Sequence, residues 1–246
     1  MRIERELCVS CGECVAVCPM GAIRLHKKDK AAGVNAHAAI DRDECVECGA
    51  CFRTRVCPED AFREEELAWP RILRKAFSDP VYTHPVTDIP GRGTEEMKTN
   101  DVTGRFKDGF LGIGLEFGRP GVGTRFREAE KAIVRLLPLG VHLEPNNPLT
   151  QLIDDPKTGR LKPDILGEKV LSTIVEAIIP VEKLEEVMRA VREIAAEVDT
   201  VFSLDVIGKV APDGTIPAAD AMRRVGLTPS INGKINVGLG RPPYPF

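Results

Sequence analysis

Apolar and polar positions alternate regularly in the second half of the chain, and their spacing predicts two amphipathic helices and four strands. Apolar side chains recur every three or four residues at 126–137 and at 184–198, which is typical of a helix with one buried face. Apolar runs of strand length lie at 110–117, 141–144, 172–179 and 200–207. The order β-α-β-β-α-β predicts an α+β fold, in which an open sheet carries both helices on one face and both crossovers are right-handed.

The same pattern divides the chain into four parts. Residues 1–65 contain all the cysteines, and residues 109–209 contain the predicted sheet and helices, with a turn signal at 154–159 that predicts an inserted hairpin. Residues 66–108 are rich in proline, glycine and charge, which predicts an irregular connector with few packed elements. Residues 210–246 include a short helical pattern and end in an apolar, proline-rich tail, which we expect to dock onto this chain or onto another subunit.

Composition and charge exclude some classes of partner. The chain of 246 residues has a formal net charge of -3, a sequence pI of about 5.9 and a mean hydropathy of -0.12. A nucleic-acid or anionic-membrane partner would favour a basic excess, and a membrane span needs about 18 consecutive apolar residues. The chain has neither feature, and it is charged from its second residue. We therefore expect a cytoplasmic protein with no nucleic-acid partner and no membrane span.

The candidate chemistry is concentrated in eight cysteines, none of which lies beyond residue 57. In a reducing cytosol, closely spaced thiols bind metal more often than they form disulfides. Two-residue gaps let three thiolates converge on one face of an iron-sulfur cubane, while the intervening peptide N–H groups point at the sulfides. The two runs are Cys8-x2-Cys11-x2-Cys14-x3-Cys18-Pro19 and Cys45-x2-Cys48-x2-Cys51-x5-Cys57-Pro58.

These runs resemble those of bacterial-type dicluster 2[4Fe-4S] ferredoxins. The likeness extends to the proline after the last cysteine of each run and to the segment 19–23, which is similar to the family's exit into a short strand. The resemblance implies a ferredoxin module at residues 1–65 that binds two [4Fe-4S] clusters. In that family each cluster takes its fourth thiolate from the other run. The implied ligand sets are therefore Cys8, Cys11, Cys14 and Cys57 for one cluster, and Cys45, Cys48, Cys51 and Cys18 for the other.

One departure from the family pattern is the last gap of the second run, which has five residues instead of three. Residues 52–56 must therefore bulge. Two arginines in this bulge, Arg53 and Arg55, are interpreted as solvated side chains. The alternative is that they place positive charge beside a cluster, which would favour its reduced state and raise its potential.

Two other metal sites fit the cysteines less well. Paired C-x-x-C motifs also occur in zinc ribbons, but two zinc sites do not require three-cysteine runs that end in Cys-Pro. A radical-SAM site resembles C-x3-C-x2-C, and here the three-residue gap from Cys14 to Cys18 is not followed by the required third cysteine. Because eight thiolates can serve eight irons, the pattern favours electron carriers.

A second resemblance lies in the predicted sheet region. The segment 117–122 before the first helix and the segment 139–143 after it are similar to the opening of ACT-type domains, which pair edge to edge and often bind small amino acids. The resemblance implies a pocket for a small anionic ligand at the first strand–helix turn, where the helix N-terminus offers free N–H groups. The helical pattern separately predicts Thr124 as the N-cap. The alternative is a turn that needs glycine for its geometry and only mediates assembly. The implied ligand residues are Arg119, Gly121, Gly123 and Thr124.

These features favour an iron-sulfur electron-transfer protein, which serves as the relay subunit or partner of an anaerobic oxidoreductase. Its partner would be a redox protein, and the chain would be a homo-oligomer or a complex subunit. The sheet region would then serve docking, dimerisation or ligand sensing. Outside the cysteines the sequence shows no nucleophile–base pair, carboxylate dyad or Gly-rich nucleotide motif, which favours a carrier over a catalyst. The alternative is a ferredoxin-fused enzyme or assembly factor that supplies electrons or sulfur in anaerobic biosynthesis and binds a small anionic substrate near the polar run 92–105.

Overall fold

The cysteine-bearing part of the chain forms two small β-ribbons connected by tight loops. The computed structural model describes residues 1–85, 88–89 and 107–230. In the outer ribbon β1 pairs with β4, in the inner one β2 pairs with β3, and both pairs are antiparallel. The elements are β1 (Arg2–Ile3), α1 (Glu13–Ala16), β2 (Ile23–His26), β3 (His37–Ile40), α2 (Ala50–Arg53) and β4 (Phe62–Arg63).

A short helix, α3 (Ile72–Ala76), follows this part of the chain. Leu73, Ala76 and Phe77 are buried in the same apolar core as the large sheet, and the Phe77 ring meets the Phe126 ring edge-on at 5.1 Å. This one short helix does not contradict the expectation of few packed elements at 66–108, of which residues 86–87 and 90–106 lie outside the described residues. Burial of its large apolar side chains stabilises the helix by about 1.5–3 kcal/mol for each of them.

Residues 107–230, which we call the sheet unit, contain the predicted sheet. Its strand order is β12-β5-β11-β7, and all neighbouring strands are antiparallel. The elements are β5 (Phe110–Phe117), β6 (Thr124–Arg125), α4 (Phe126–Leu136), β7 (His142–Leu143), β8 (Ile153–Asp155), β9 (Arg160–Leu161), β10 (Lys169–Val170), β11 (Thr173–Pro180), α5 (Leu184–Glu197), β12 (Phe202–Ile207) and α6 (Pro217–Arg224).

The core lies between one face of this sheet and the two long helices. Alternate residues of β5 and β11 point to the same face, because Leu115 pairs with Val175 and Ile113 pairs with Ala177. All four are essentially inaccessible to solvent and join the buried faces of α4 and α5 in one cluster. Along the chain, the strands of this sheet and the two long helices follow one another as β5, α4, β7, β11, α5 and β12, with shorter elements between them. This is the β-α-β-β-α-β order expected from the sequence.

The structure corrects the predicted start of the first long helix. Helix α4 begins at Phe126, its N-cap is Arg125, and no side chain caps it. Thr124 instead belongs to β6, where it pairs with Val170 of β10. A two-stranded pairing between distant segments thus replaces the local cap that the residue type predicts.

The predicted hairpin and the predicted C-terminal helix are both present, whereas two other predicted segments lie outside the described residues. The turn at 154–159 connects β8 and β9 as an antiparallel pair, and α6 lies in the expected C-terminal part with Ala221 in the main core. The polar run 92–105 and the tail beyond residue 230 lie outside the described residues. No helix in the described part of the chain is both long and apolar enough to span a bilayer.

Candidate metal centres

The structure gathers the eight cysteines around two separate cavities, with empty volumes, including space open to solvent, of about 330 and 370 Å³. Each cavity is lined by three cysteines of one run and by the last cysteine of the other, which is the grouping that the ferredoxin resemblance implied. We call Cys8, Cys11, Cys14 and Cys57 the first cysteine group. We call Cys18, Cys45, Cys48 and Cys51 the second cysteine group.

Equivalent turns build the two cysteine loops. Gly12 and Gly49 follow the middle cysteine of each run with φ of 85° and 69°, a conformation that glycine adopts without a Cβ penalty. Each glycine begins a one-turn helix that carries the third cysteine. Ser10 and Glu47, just before the middle cysteines, also have positive φ. Successive turns of this kind form concavities lined by backbone N–H groups, which favour negatively charged sulfur.

Backbone N–H groups also donate directly to cysteine sulfurs. Ala22 donates to Cys18 Sγ and Ala61 donates to Cys57 Sγ, each over 3.3 Å and four positions after the cysteine. Ala38 of β3 donates to Cys8 Sγ over 3.3 Å. Such bonds draw negative charge from the sulfur and thereby raise the reduction potential of a cluster bound to it.

The donor set of each cavity fits a [4Fe-4S] cluster. Burial raises the pKa of Cys51 to about 12, and the neighbouring thiolates of the second cysteine group add to the effect. Burial likewise raises the pKa of Cys14, with contributions from the rest of its group. Four thiolates gathered around one cavity require positive charge between them, and all eight cysteines are free of disulfides. Among the described residues, no three Cys, His, Asp or Glu side chains lie close enough to share one metal ion. Four sulfurs spread around a cavity suit four irons that take one thiolate each.

Comparison with known proteins agrees with this geometry. Residues 7–61 match the family model of the 4Fe-4S dicluster domain. This segment is a dicluster ferredoxin module. It is similar to Ferredoxin-1 of Rhodobacter capsulatus, with 46% identity over 48 residues that cover 20% of this chain and 62% of that protein. The chain is also similar to one of the subunits of the F(420)H(2) dehydrogenase of Methanosarcina mazei, with 34% identity over 68 residues that cover 26% of this chain and 20% of that protein.

These comparisons cover only part of the chain and only part of each relative. The chain spans less than two thirds of each of these relatives, and the family model ends at residue 61. No solved structure matches the chain. The likeness of the sheet unit to ACT-type domains therefore stays a prediction.

A buried arginine anchors the ferredoxin module to α3 and the sheet unit. Arg74 is only 4% exposed, and its guanidinium donates to the carbonyl oxygens of Arg42, Asp43 and Cys45 at 3.2, 2.7 and 2.9 Å and to the carboxylate of Glu168. Arg74 thereby holds the segment that leads into the second cysteine group. Nothing in the sequence around Arg74 indicates this role, because its partners lie 29 or more positions away.

Ion pairs surround the same loop. The guanidinium of Arg125 bonds to Asp43 and holds the pKa of that carboxyl below its ordinary value. Met20, Ala22 and Val46 form a small apolar cluster beneath the loop, against which Leu171 of the sheet unit packs. The ion pairs between the ferredoxin module and later residues include Arg125 with Asp43 at 2.6 Å, Lys169 with Glu44 at 2.5 Å and Arg71 with Glu47 at 2.6 Å.

The two arginines of the bulge have different environments. Arg53 donates to the Asp79 carboxylate and to the Cys48 carbonyl oxygen, each over 2.6 Å, while 35% of its side chain stays exposed, so it is solvated only in part. Arg55 is exposed and takes a left-handed turn with φ of 50°, which accommodates the two extra residues. One arginine thus lies against the loop of the second cysteine group.

The four residues expected to bind a small ligand have hydrogen-bond partners within the protein. The Gly121 N–H donates to the Pro19 carbonyl oxygen over 2.6 Å, next to Cys18. Arg119 turns back to the Ser203 hydroxyl over 2.6 Å and to nearby carbonyl oxygens. Thr124 is buried and donates its hydroxyl to the Arg125 carbonyl oxygen.

The expected free N–H groups at the start of α4 are already occupied. Phe126 donates to the Glu168 carbonyl oxygen and Arg127 donates to that of Leu166, each over 3.2 Å. An anion would have to displace these bonds. The turn therefore fits the alternative interpretation, in which it mediates assembly, because it contacts the ferredoxin module directly.

Substitutions at two glycines of this turn test its close contact with Met20 of the ferredoxin module. A Cβ at Gly123 would lie 2.9 Å from both the Val170 carbonyl oxygen and Met20 Cε, whereas a Cβ at Gly121 would meet nothing within 4 Å. Both residues have positive φ, so alanine costs about 1–2 kcal/mol at either position. We expect Gly123→Ala to destabilise the cluster-loaded protein by about 2–4 kcal/mol, because overpacking is added. Thermal unfolding followed anaerobically by circular dichroism measures both variants, and equal losses would contradict the close contact.

Proposed function

We propose that this protein carries single electrons through two [4Fe-4S] clusters, one bound by the first cysteine group and one by the second, as the relay subunit or partner of an oxidoreductase. The observation that supports this most strongly is the pair of separate cavities, each lined by four cysteines from both runs. With one thiolate for every iron, no iron position stays open for a substrate.

When bound, such clusters accept and release one electron each at potentials that the surrounding protein sets. The chain supplies this control through the N–H groups that donate to sulfur and through Arg53 beside the second cysteine group. The two groups are also close neighbours. Cys8 and Cys14 of the first group pack with Cys18 and Cys51 of the second against one apolar cluster that includes Ile23. This arrangement favours electron passage from one cavity to the other.

The sheet unit supports the role of a subunit in a larger redox complex. Its turn at Gly121 and its cations Arg125 and Lys169 attach to the ferredoxin module, so the unit is a fixed part of the carrier. One relative is by its name a dehydrogenase subunit. We accordingly propose a cytoplasmic place in anaerobic metabolism, where thiols stay reduced, a redox-protein partner and a role for the sheet unit in docking or self-association.

Anaerobic purification tests the function directly. The protein should contain about eight irons per chain, its visible absorbance should bleach with dithionite, and the colour should return on reoxidation. Analytical ultracentrifugation of the same sample measures self-association. A colourless protein, or a bound metal that does not change oxidation state, would contradict electron transfer.

The position of Arg53 leads to a prediction about the cluster potentials. Arg53→Gln removes a positive charge next to the Cys48 carbonyl oxygen and leaves the Asp79 carboxylate with Lys75, 3.8 Å away, as its ion-pair partner. Since positive charge favours the reduced cluster, we expect one of the two midpoint potentials to become more negative by an amount on the order of tens of millivolts.

The matched control is Arg55→Gln, because Arg55 lies in the same bulge, is exposed, and has no side-chain hydrogen bond or ion pair to the described residues. Its effect should be much smaller, since its charge is not held against the loop and solvent screens it. Potentiometric titration followed by electron paramagnetic resonance measures both potentials. Equal shifts in the two variants, or a shift of both clusters in Arg53→Gln, would contradict the assignment of Arg53 to the second cysteine group.

A further inference from the structure

The two cysteine groups differ in what covers them. The loops of the second group contact residues from three later segments of the chain, namely 71–79, 118–125 and 169–171. These contacts include the carbonyl oxygens of Cys45 and Cys48 themselves. A partner protein therefore has restricted access to the second group.

The loop of the first group is open by comparison. Cys11 is exposed, and for residues 6–13 the hydrogen bonds found within the described chain stay inside the first 65 residues. Three large apolar side chains are exposed around this loop: Leu7 at 39%, Val9 at 58% and Leu25 at 49%. Leu25 lies directly against the loop, because its Cδ1 is 3.2 Å from the Cβ position of Gly12.

A basic hairpin extends from the same place. Leu25 belongs to β2, and the connection from β2 to β3 carries exposed Lys27, Lys28 and Lys30 with a single carboxylate, Asp29. This connection has a net charge of +2, from three lysines and one aspartate, in a chain whose overall charge is -3.

The loop itself carries charges of both signs. Glu6 and Glu13 are exposed on it, and so is Arg5 just before it. The excess of positive charge on this surface therefore comes from the hairpin connection, which can orient an approaching protein of opposite charge.

We propose that this surface, formed by Leu7, Val9, Leu25 and the hairpin lysines around Cys11, is where the redox partner docks, and that the partner presents an acidic rim around its own one-electron cofactor. The proposal rests on the proposed electron-carrier function. Apolar contact at the centre excludes water between the two cofactors, while the lysines align the acidic rim. When this protein is the donor, one electron passes from a reduced [4Fe-4S] cluster to the oxidised cofactor of the partner. The cluster is thereby oxidised by one electron, and no bond is made or broken in this chain.

An acidic flavodoxin is a suitable probe for this surface. The dithionite-reduced protein, freed of excess reductant, is mixed anaerobically in a stopped-flow instrument with oxidised flavodoxin, whose flavin takes up one electron and one solvent proton to form the semiquinone. We expect the second-order rate constant to fall steeply between about 0.01 M and about 1 M salt, because the Debye length shrinks from about 30 Å to about 3 Å. A rate that does not depend on salt would overturn the proposal.

Charge reversal locates the surface. The double variant Lys27→Glu with Lys28→Glu should slow the reaction at low salt by at least about tenfold and match the wild type at high salt. The control is Lys107→Glu with Lys157→Glu, which makes the same change in net charge at exposed lysines of the sheet unit. We expect the control to slow the reaction less than about twofold. Equal slowing in the two double variants would overturn the proposal, because only net charge would then matter.

The apolar part of the surface has its own test. Val9→Ser should slow electron transfer to flavodoxin at high salt as well, because its contribution is not electrostatic. A Val9→Ser rate equal to that of the wild type would overturn the apolar contact. Iron content and bleaching by dithionite are measured for every variant. A wild-type protein that lacks iron contradicts the electron-carrier function itself, whereas an iron-replete protein with no salt-dependent transfer overturns only the docking surface.

Discussion

Replacing Cys57 by alanine should damage the same cluster as replacing Cys11, although the two cysteines lie in different runs. Both line the first cavity, whereas Cys48 of the second run lines the other cavity with Cys18. Loss of one thiolate leaves an iron without its protein ligand, so we expect the affected cluster to lose iron, up to about four atoms per chain, while the other stays reducible.

Electron paramagnetic resonance of the reduced proteins distinguishes the two possible groupings. The wild type should show magnetic coupling between its two reduced clusters, and each single variant should lose it. The signal that remains should be the same for Cys57→Ala and Cys11→Ala, and a different one should be shared by Cys18→Ala and Cys48→Ala. If Cys57→Ala instead resembles Cys48→Ala, each run binds its own cluster and the crossed grouping is wrong.

Replacing Arg74 by methionine should cause the largest loss of stability among substitutions outside the cysteines. The guanidinium is buried, and its removal leaves the Glu168 carboxylate and the carbonyl oxygens of Asp43 and Cys45 without a donor. Breaking a buried pair by removing one partner costs about 3–5 kcal/mol. For a chain of this size the expected fall in Tm is on the order of 10 °C.

Arg189→Met is the matched control, because Arg189 pairs with Glu185 on the surface of α5. Exposed pairs contribute about 0–1 kcal/mol, so its Tm should stay near that of the wild type. Arg74→Lys retains the charge but not the planar set of donors, and its Tm should lie between those of the wild type and Arg74→Met. Thermal unfolding of the cluster-loaded proteins, followed anaerobically, measures all three. A loss in Arg74→Met no larger than that in Arg189→Met would contradict the anchoring role.

The anchoring contacts explain how a small ferredoxin module and a sheet unit act as one carrier. Most of them reach the loop of the second cysteine group, through Arg74, Arg125 and Lys169. The first cysteine group has no comparable cover in the described chain, and its loop carries exposed apolar side chains. The sheet unit therefore covers the second cysteine group and leaves the first more accessible to a partner protein.

The periodic parts of the fold were predictable because their signals are local. Strand β5 and helices α4 and α5 each show their period within one short window, and burial of the apolar face fixes which side contacts the core. Thr124 shows where this reasoning fails. Its residue type suits an N-cap, but pairing with Val170, far along the chain, places it in a strand.

The sequence by itself determined that the N-terminal segment is an iron-sulfur module and in which order the strands and helices follow one another. Two-residue gaps and repeated Cys-Pro steps constrain the backbone over a few positions, so they predict the sulfur ligands without knowledge of the rest of the fold. Only the tertiary structure decided that the turn at Gly121 contacts the ferredoxin module and that Arg74 anchors this module to the sheet unit. The physical reason is distance along the chain. Pairs such as Lys169 with Glu44, separated by 125 positions, form only after the whole chain has folded, and neither residue type indicates its partner.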